Sequence, residues 1–295
     1  MQIKYFQAAW NDVKNSPGWF GKMCLLALVN FIPIFGSIVS YGYLYGWARE
    51  IAWGVHQPMP ASIFSNDDGK FWRRGWFLFV IAFVFSLTPS VIAYIGTSMQ
   101  GSMFYASLYG FSENSPMASA GSAASAGIGA LLYLVGMLLA LVVTIPTWVA
   151  FMRSAIYDRL SPGFQLGKIW SMMRKDTGGI MRIFGMNLLL GLILSIVITV
   201  VVTIGVLAII AVGYGASGGG DPSTVAIAGI GGLAALLLIA FIFFAVVAGM
   251  AIEAIVARAV GYWTMQFDVP HWRGQDDPMP FEQMPPASGP QYPMD

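Results

Sequence analysis

The sequence has little charge: only 10% of its residues are Asp, Glu, Lys or Arg, whereas 57% are hydrophobic. A soluble domain carries about 25% charged residues, so this chain has too few to cover a water-facing surface. The formal net charge of +1 also lacks the strong basic balance that is typical of nucleic-acid-binding proteins. The composition therefore indicates an all-α, polytopic membrane helix bundle, and no nucleic-acid partner is expected.

The sequence also has few of the cysteine and histidine residues that metal-binding and redox sites need. The chain has one cysteine, Cys24, which excludes an intramolecular disulfide and is expected to act as a small buried apolar residue. The two histidines, His56 and His271, lie far apart and have no H-x-x-E or cysteine companion. The segment GYGASG at 213–218 has the spacing G-x-G-x-x-G, but the nucleotide fingerprint needs a preceding strand. No metal and no cofactor is expected.

Lysine and arginine are absent from two loops, 96–126 and 213–224. Basic residues stay on the cytoplasmic side of a membrane, so these loops are expected outside and the basic segment 153–182 inside. The apolar runs that separate such loops span approximately 19–32, 35–52, 75–95, 128–152, 183–212 and 225–252. The prediction is six crossings of the cell (inner) membrane, arranged as three in–out–in hairpins, with both termini cytoplasmic.

The first of these hairpins is short and interrupted by a proline. At about 1.5 Å per residue its first run spans roughly 21 Å, against a hydrocarbon core of about 30 Å. It is therefore either a short crossing hairpin or a re-entrant one. Pro33 and Gly36 mark its turn, because proline weakens a continuous helix there, and Asn30 beside the turn is expected to cap or join helices. Gly42 and Gly46 form a G-x-x-x-G on the second helix, which predicts close approach of another helix of the same chain.

Two further segments, near 2–14 and 164–175, place apolar residues at helical spacing beside basic ones. Each predicts an amphipathic helix in the headgroup layer of the cytoplasmic leaflet. For the first, packing on a cytoplasmic loop is the alternative. Residues 1–266 then form one transmembrane domain. The proline-rich, acidic segment 267–295 is predicted to be a disordered cytoplasmic tail.

Charged groups inside a membrane span mark functional sites because they are costly there. The predicted spans hold none near their centres, and the nearest carboxylate is Glu253, just past the last span. Glu253 and Arg258 are expected at the cytoplasmic rim as side chains that extend toward the headgroups; ion pairing with Arg49 and Glu50 is the alternative. These four residues are the candidate functional positions. Small neighbours leave room for a pocket beside Glu253: Gly249, Ala251, Ala254 and Ala257.

No carboxylate pair, proton relay or serine with a base falls inside a predicted span, so no catalytic centre is expected. The sequence favours a non-catalytic scaffold, accessory subunit or lipid-interacting membrane component. The alternative is a transporter or permease-like protein for a small or lipidic substrate, which a polar cavity between the helices would indicate. The expected partners are membrane lipids, with another membrane protein or a second copy of the chain as alternatives.

Residues 10–95 carry a set of motifs: WNDV, PGWFGK, NFIPIFG, GYLYGWAREIAWG, PMP and DDGKFWRRGWFLFV. These motifs resemble the "domain of unknown function 4013" family of bacterial and archaeal integral membrane proteins, in which a tryptophan precedes a short helix and an I-P-hydrophobic-G break follows. Within 150–185, the stretch AIYDRLSPGFQLGKIWSMMRK resembles the central cytoplasmic loop of that family. The resemblance implies a membrane fold and location, and it brings no activity with it.

Overall fold

The structure is a computed structural model that describes residues 4–66, 68–108, 116–217 and 224–272. Their side chains are described as well, except those within 101–123 and 208–235. These residues form eight α-helices and two short 3-10 helices, with no strand among them. The all-α fold class is therefore confirmed. The α-helices are α1 Tyr5–Asn15, α2 Trp19–Asn30, α3 Phe35–Ala52, α4 Phe71–Leu108, α5 Pro116–Tyr157, α6 Leu166–Lys175, α7 Thr177–Ser217 and α8 Thr224–Met265.

Four helices are long and apolar enough to cross a membrane. Their candidate spans are Phe71–Gln100, Ala124–Tyr157, Thr177–Leu207 and Leu236–Met265. Large apolar side chains are exposed along all four helices, as expected where lipid rather than water is the neighbour. With 12 residues, α2 extends only about 18 Å. The crossing of the α2–α3 pair therefore stays a prediction.

The helices run well beyond the spans expected from hydropathy. Pro89 and Pro146 lie inside α4 and α5, which continue past them. The last helix, α8, ends at Met265 and not near Ile252. The sequence interpretation placed the end of this span at the first charged residue, Glu253. In the structure the charged residues that follow are surrounded by protein, so the helix continues.

The break expected at Pro33 is present, because α2 and α3 are separate helices. Ile34 has a positive φ of 65° at the turn. A Cβ atom on Gly36 would lie 2.4 Å from the Cα atom of Asn30, so only glycine lets α3 start this close to α2. Asn30 Nδ2 donates a hydrogen bond to Ser40 Oγ at 2.6 Å, which joins the two helices as expected.

The centre of the bundle is α3, which packs against α2, α4, α5 and α8. Its Trp47 is 0% exposed. The two G-x-x-x-G residues face the start of α4: a Cβ atom on Gly42 would lie 3.0 Å from the Phe71 carbonyl oxygen, and one on Gly46 would lie 3.0 Å from Arg74 Nη1. The glycines therefore serve packing within the chain, as predicted.

Both predicted amphipathic segments are helices, α1 and α6. Helix α1 packs against α8 and α7, with Val13 buried and Phe6 exposed. Helix α6 buries Ile169 and leaves Leu166 and Trp170 exposed at a spacing of one turn. This exposed apolar pair is consistent with contact to membrane lipid. The location of both helices in the headgroup layer stays a prediction.

The segment that follows α8 starts as an ordered extension of the bundle. Val269 is fully buried in a short 3-10 helix, Val269–His271. The Trp272 ring stacks on the Tyr157 ring at 5.7 Å. Residues 267–272, which were expected in the disordered tail, therefore pack on the bundle because their apolar side chains find partners. The rest of the predicted tail lies outside the described residues.

Candidate functional site

Four charged side chains meet where α3 ends and α4 begins. Arg49 Nη1 donates to Asp158 Oδ2 at 2.6 Å, and Arg74 Nε donates to Asp158 Oδ1 at 2.8 Å. Asp68 accepts from the second Nη atom of both arginines, at 3.2 Å from Arg49. Each carboxylate thus bridges both guanidinium groups. We call these four residues the arginine network, and its charges cancel.

The network is built into the ends of the elements that carry it. Asp158 follows α5 with a φ of 48°, a left-handed conformation that Asp adopts more readily than most residues. Its side chain is only 1% exposed. Burial alone raises the pKa of Asp68, but Arg74, the Lys70 backbone N–H and Arg49 together hold that pKa below its ordinary value. Asp68 is therefore ionised within the network at neutral pH.

A third arginine, Arg258 of α8, is 0% exposed and joins three parts of the chain. Its Nε donates to Asp12 Oδ2 at 2.7 Å in α1. Its Nη1 donates to the Trp47 carbonyl at 2.9 Å and its Nη2 to the Gln57 carbonyl at 3.3 Å. The guanidinium also lies over the Trp47 ring, 4.2 Å from its centroid. Arg258 therefore ties α8 to α1, to α3 and to the loop after α3.

The expected extension of the arginines toward the headgroups is wrong, and so is the alternative pairing of Arg258 and Glu253 with Arg49 and Glu50. Both arginines are buried and bind aspartates. Among the described residues, Glu50 Oε2 is buried without a hydrogen-bond partner. The aspartates that the sequence interpretation missed are Asp12, Asp68 and Asp158. No local spacing indicates Asp12 and Asp158, because their arginine partners lie 246 and at least 84 residues away in the sequence. Asp68 lies six residues before Arg74.

A cavity of about 270 Å³ lies between α3, α4, α5 and α8. Its polar lining residues are Tyr41, Tyr45, Ser86, Thr144, Thr147 and Glu253. Its apolar lining residues are Ala82, Pro89, Ala140, Val143, Trp148 and Phe151. We call this space the Glu253 cavity. The small residues of α8 that were expected to leave room for a pocket are not among its lining residues, since the space comes from α3, α4 and α5.

Glu253 lies within the candidate span Leu236–Met265, whereas the sequence analysis placed it just past the end of the last span. No ion pair or hydrogen bond of its carboxyl group occurs among the described residues. Five residues further along α8, Arg258 is already bound to Asp12. The Tyr45 hydroxyl, within electrostatic range of Glu253, is also buried without a partner in the described part of the chain.

The serine and threonine hydroxyl groups of the cavity are satisfied locally. Each donates to a carbonyl group of its own helix, as such side chains do in membrane spans. The donor–acceptor pairs are Ser86 to Phe83 at 3.0 Å, Thr144 to Ala140 at 2.8 Å and Thr147 to Val143 at 2.7 Å. Among the described residues, the carboxyl group of Glu253 and the phenols of Tyr41 and Tyr45 are thus the polar groups of the cavity that remain for a ligand.

Within the described ranges, no group of three or more His, Cys, Asp or Glu residues is placed to hold a metal ion. The Glu253 cavity offers a single carboxyl group, with tyrosine, threonine and serine hydroxyls around it. Its chemistry is that of one acidic group among aromatic rings.

Comparison with known proteins identifies one matching family. No curated protein and no solved structure matches the chain. The family model described as "Protein of unknown function (DUF4013)" matches residues 25–203. The match ends inside α7, so α8 with Glu253 and Arg258 lies beyond it. The matched region is more than half of the chain and confirms the resemblance seen in the sequence motifs: the chain belongs to the DUF4013 family.

Proposed function

We propose that the protein is a non-catalytic component of the cell membrane that binds a lipid or another small membrane-soluble ligand in the Glu253 cavity. The observation that carries this proposal is the cavity itself, about 270 Å³ between four helices. Its lining residues Ser86 and Ala140 are exposed, so the cavity reaches the outer surface of the bundle. Pockets for small ligands measure about 300–1,000 Å³. The space therefore suits a headgroup or a small molecule.

The surroundings of the cavity support binding over catalysis. A catalytic centre brings a nucleophile, a base and a stabilising group into mutual reach. Here the carboxyl group of Glu253 stands beside hydroxyl groups of Thr144 and Thr147 that donate to their own helices. The buried Arg74 and Arg258 are bound to aspartates and hold helices together.

We also propose six crossings with both termini cytoplasmic, which makes α2 and α3 a crossing hairpin. The charged ends of the helices support one common cytoplasmic side: Arg74 at the start of α4 binds Asp158 just after α5. In the same way, the Asp176 carbonyl just before α7 accepts a hydrogen bond from Trp263 near the end of α8. The loops on the opposite side contain no lysine or arginine.

Cysteine labelling tests this topology in a background with Cys24→Ser. An impermeant maleimide applied to intact cells is expected to label Ser217→Cys and not Ser65→Cys. Ile34→Cys is expected to be labelled as well, because Ile34 is exposed at the turn between α2 and α3. Protection of Ile34→Cys, with Ser217→Cys labelled, would favour a re-entrant hairpin and contradict the six crossings.

Native mass spectrometry of the full chain in mild detergent tests the binding function. The wild type is expected to retain a bound lipid or small molecule. Ala140→Trp fills the cavity at its opening and is expected to release it. Leu189→Trp is the matched control, because Leu189 is exposed on α7 and does not line the cavity. Equal retention by Ala140→Trp and the control would contradict binding in the cavity.

A transporter of a lipidic substrate is the second candidate function. Pro89 lines the cavity, and Pro146 lies in α5 between lining residues of the same cavity. Proline removes a backbone hydrogen bond and favours a kink, so α4 and α5 have weak points at the depth of the cavity. Dithionite bleaching of a fluorescent phosphatidylethanolamine in proteoliposomes tests it. Extra bleaching by the wild type, absent in Ala140→Trp, would favour transport.

A further inference from the structure

We infer that the Glu253 cavity recognises a ligand with a positively charged ammonium group, which the Glu253 carboxylate and the surrounding aromatic rings hold. This inference rests on the proposed binding function and specifies the ligand class of the same site. A small ammonium compound and the ammonium headgroup of a lipid share this chemistry.

The first argument is the missing counter-charge. Glu253 has no ion pair among the described residues. The arginine nearest in sequence, Arg258, is committed to Asp12, and Arg49 is committed to the arginine network. A carboxylate held away from water without a partner is costly. A cationic ligand removes that cost, which the protein itself leaves uncompensated.

The second argument is the aromatic lining. Four aromatic side chains line the cavity beside the single carboxyl group: Tyr41, Tyr45, Trp148 and Phe151. The Phe151 ring lies 5.1 Å from the Tyr41 ring and 4.9 Å from the Tyr45 ring, so these three form one cluster. The faces of aromatic rings attract cations, and rings around a carboxylate favour ammonium groups in particular.

The third argument is the shape of the space. About 270 Å³ admits an ammonium headgroup but not a whole lipid. The exposed Ser86 and Ala140 mark where an attached chain would leave the cavity. A bare metal cation is a poorer match, because hard cations need several oxygen ligands and the cavity provides one carboxyl group.

Calorimetric titration of the full chain in neutral detergent tests the charge requirement. The probes are choline and 3,3-dimethyl-1-butanol, which has nearly the same shape without the charge. Choline is expected to bind at least about tenfold more tightly, as the sum of ion pairing and cation–π attraction requires. Equal affinity for the two probes would overturn the inference.

Three variants tie the effect to the named residues. Glu253→Gln is expected to weaken choline binding at least about tenfold and to leave the alcohol unaffected. Tyr41→Phe, which keeps the ring, is expected to retain choline binding, whereas Tyr41→Leu is expected to weaken it. Asp268→Asn is the control, because Asp268 is exposed and outside the cavity. Unchanged choline binding by folded Glu253→Gln would overturn the inference; if that variant does not fold, the Tyr41 pair and the two probes decide.

Short-chain lipids distinguish the source of the ammonium group. Tighter binding of dihexanoyl phosphatidylcholine than of choline, with dihexanoyl phosphatidylglycerol inactive, would identify a lipid headgroup. Choline alone binding would identify a free compound, and both outcomes support the ammonium site. The ammonium inference fails while the binding function stands if 3,3-dimethyl-1-butanol binds as well as choline, phosphatidylglycerol binds as well as phosphatidylcholine, and Ala140→Trp blocks all of them. No binding of any probe, with no retained ligand, would overturn both.

Discussion

Arg258 of α8 and Asp12 of α1 form an ion pair of 2.7 Å although 246 residues separate them in the sequence. The Tyr262 hydroxyl donates to the same Asp12 oxygen at 2.9 Å, one turn further along α8. The first described helix and the last are thereby held together. The same guanidinium group donates a hydrogen bond to the carbonyl group of Trp47 in the central helix, α3.

Arg258→Met is expected to destabilise the protein by about 3–5 kcal/mol, because it leaves buried acceptors without their donor. Asp12→Asn is expected to cost less, since the Asp12 side chain is 23% exposed and an amide oxygen still accepts. Thermal unfolding in detergent measures both. Arg174→Met, an exposed position on α6, is the control and is expected to change stability by less than about 0.5 kcal/mol. Equal shifts for Arg258→Met and Arg174→Met would contradict the central role of Arg258.

Asp158→Asn is expected to destabilise the bundle by about 3–5 kcal/mol, because two buried guanidinium groups then lose the negative charge that Asp158 supplies to both. Asparagine tolerates the left-handed backbone at this position, so the loss reports on charge. Asp268→Asn is the matched control: Asp268 has a φ of 56° but an exposed side chain. Chemical unfolding of both variants gives the comparison, and a similar midpoint for the two would refute the importance of the network.

Stability is expected to fall in acid through Asp68. Burial alone raises the pKa of Asp68, but its arginine partners and the Lys70 N–H lower it below the ordinary value. A depressed folded-state pKa gives stability that is present above the unfolded value, about 4, and is lost as the pH falls through the folded pKa. The difference in melting temperature between wild type and Asp68→Asn should be constant from about pH 7 to 5. It should shrink below about pH 4. A difference that does not change with pH would argue against an ionised Asp68 in the network.

Gly75→Ala is expected to destabilise the protein by about 1–3 kcal/mol, because its Cβ atom would lie 2.2 Å from the Ile38 carbonyl oxygen. Gly185→Ala is the control on α7, where a Cβ atom meets nothing within 4 Å. Alanine there should be neutral or stabilising by up to about 1 kcal/mol. Thermal unfolding of the two variants separates close helix packing from helix propensity. Two equal losses would contradict the close approach of α3 and α4.

Much of the fold could be predicted from local sequence. Hydrophobic runs locate the long helices, and proline chemistry locates the break at Pro33. The ends of the helices could not be predicted in the same way. A charged residue normally ends a membrane span, but Arg258 lies inside α8 because Asp12 and two carbonyl groups surround it. That environment is a product of folding and leaves no trace in local composition.

The candidate site was only half predictable. Glu253 directly follows the last apolar run, 225–252, so the sequence singles it out. Its cavity is made by Tyr41, Tyr45 and Phe151 on two other helices, and their convergence depends on helix packing. The arginine network was missed for a related reason: Asp158 reads as an ordinary loop acid until α3 and α4 bring Arg49 and Arg74 to it.

The buried Arg258 has a consequence for the biosynthesis of the protein. Helix α3 leaves the ribosome long before residue 258 is translated. The carbonyl group of Trp47 and the carboxylate of Asp12 therefore cannot accept their hydrogen bonds from Arg258 until α8 has been synthesised. During elongation the nascent chain carries an unfinished interior that its final segment closes. A chain that terminates before α8 would expose that interior to membrane quality-control proteases, so proteolysis of such a truncated chain would follow from the order in which its contacts are made.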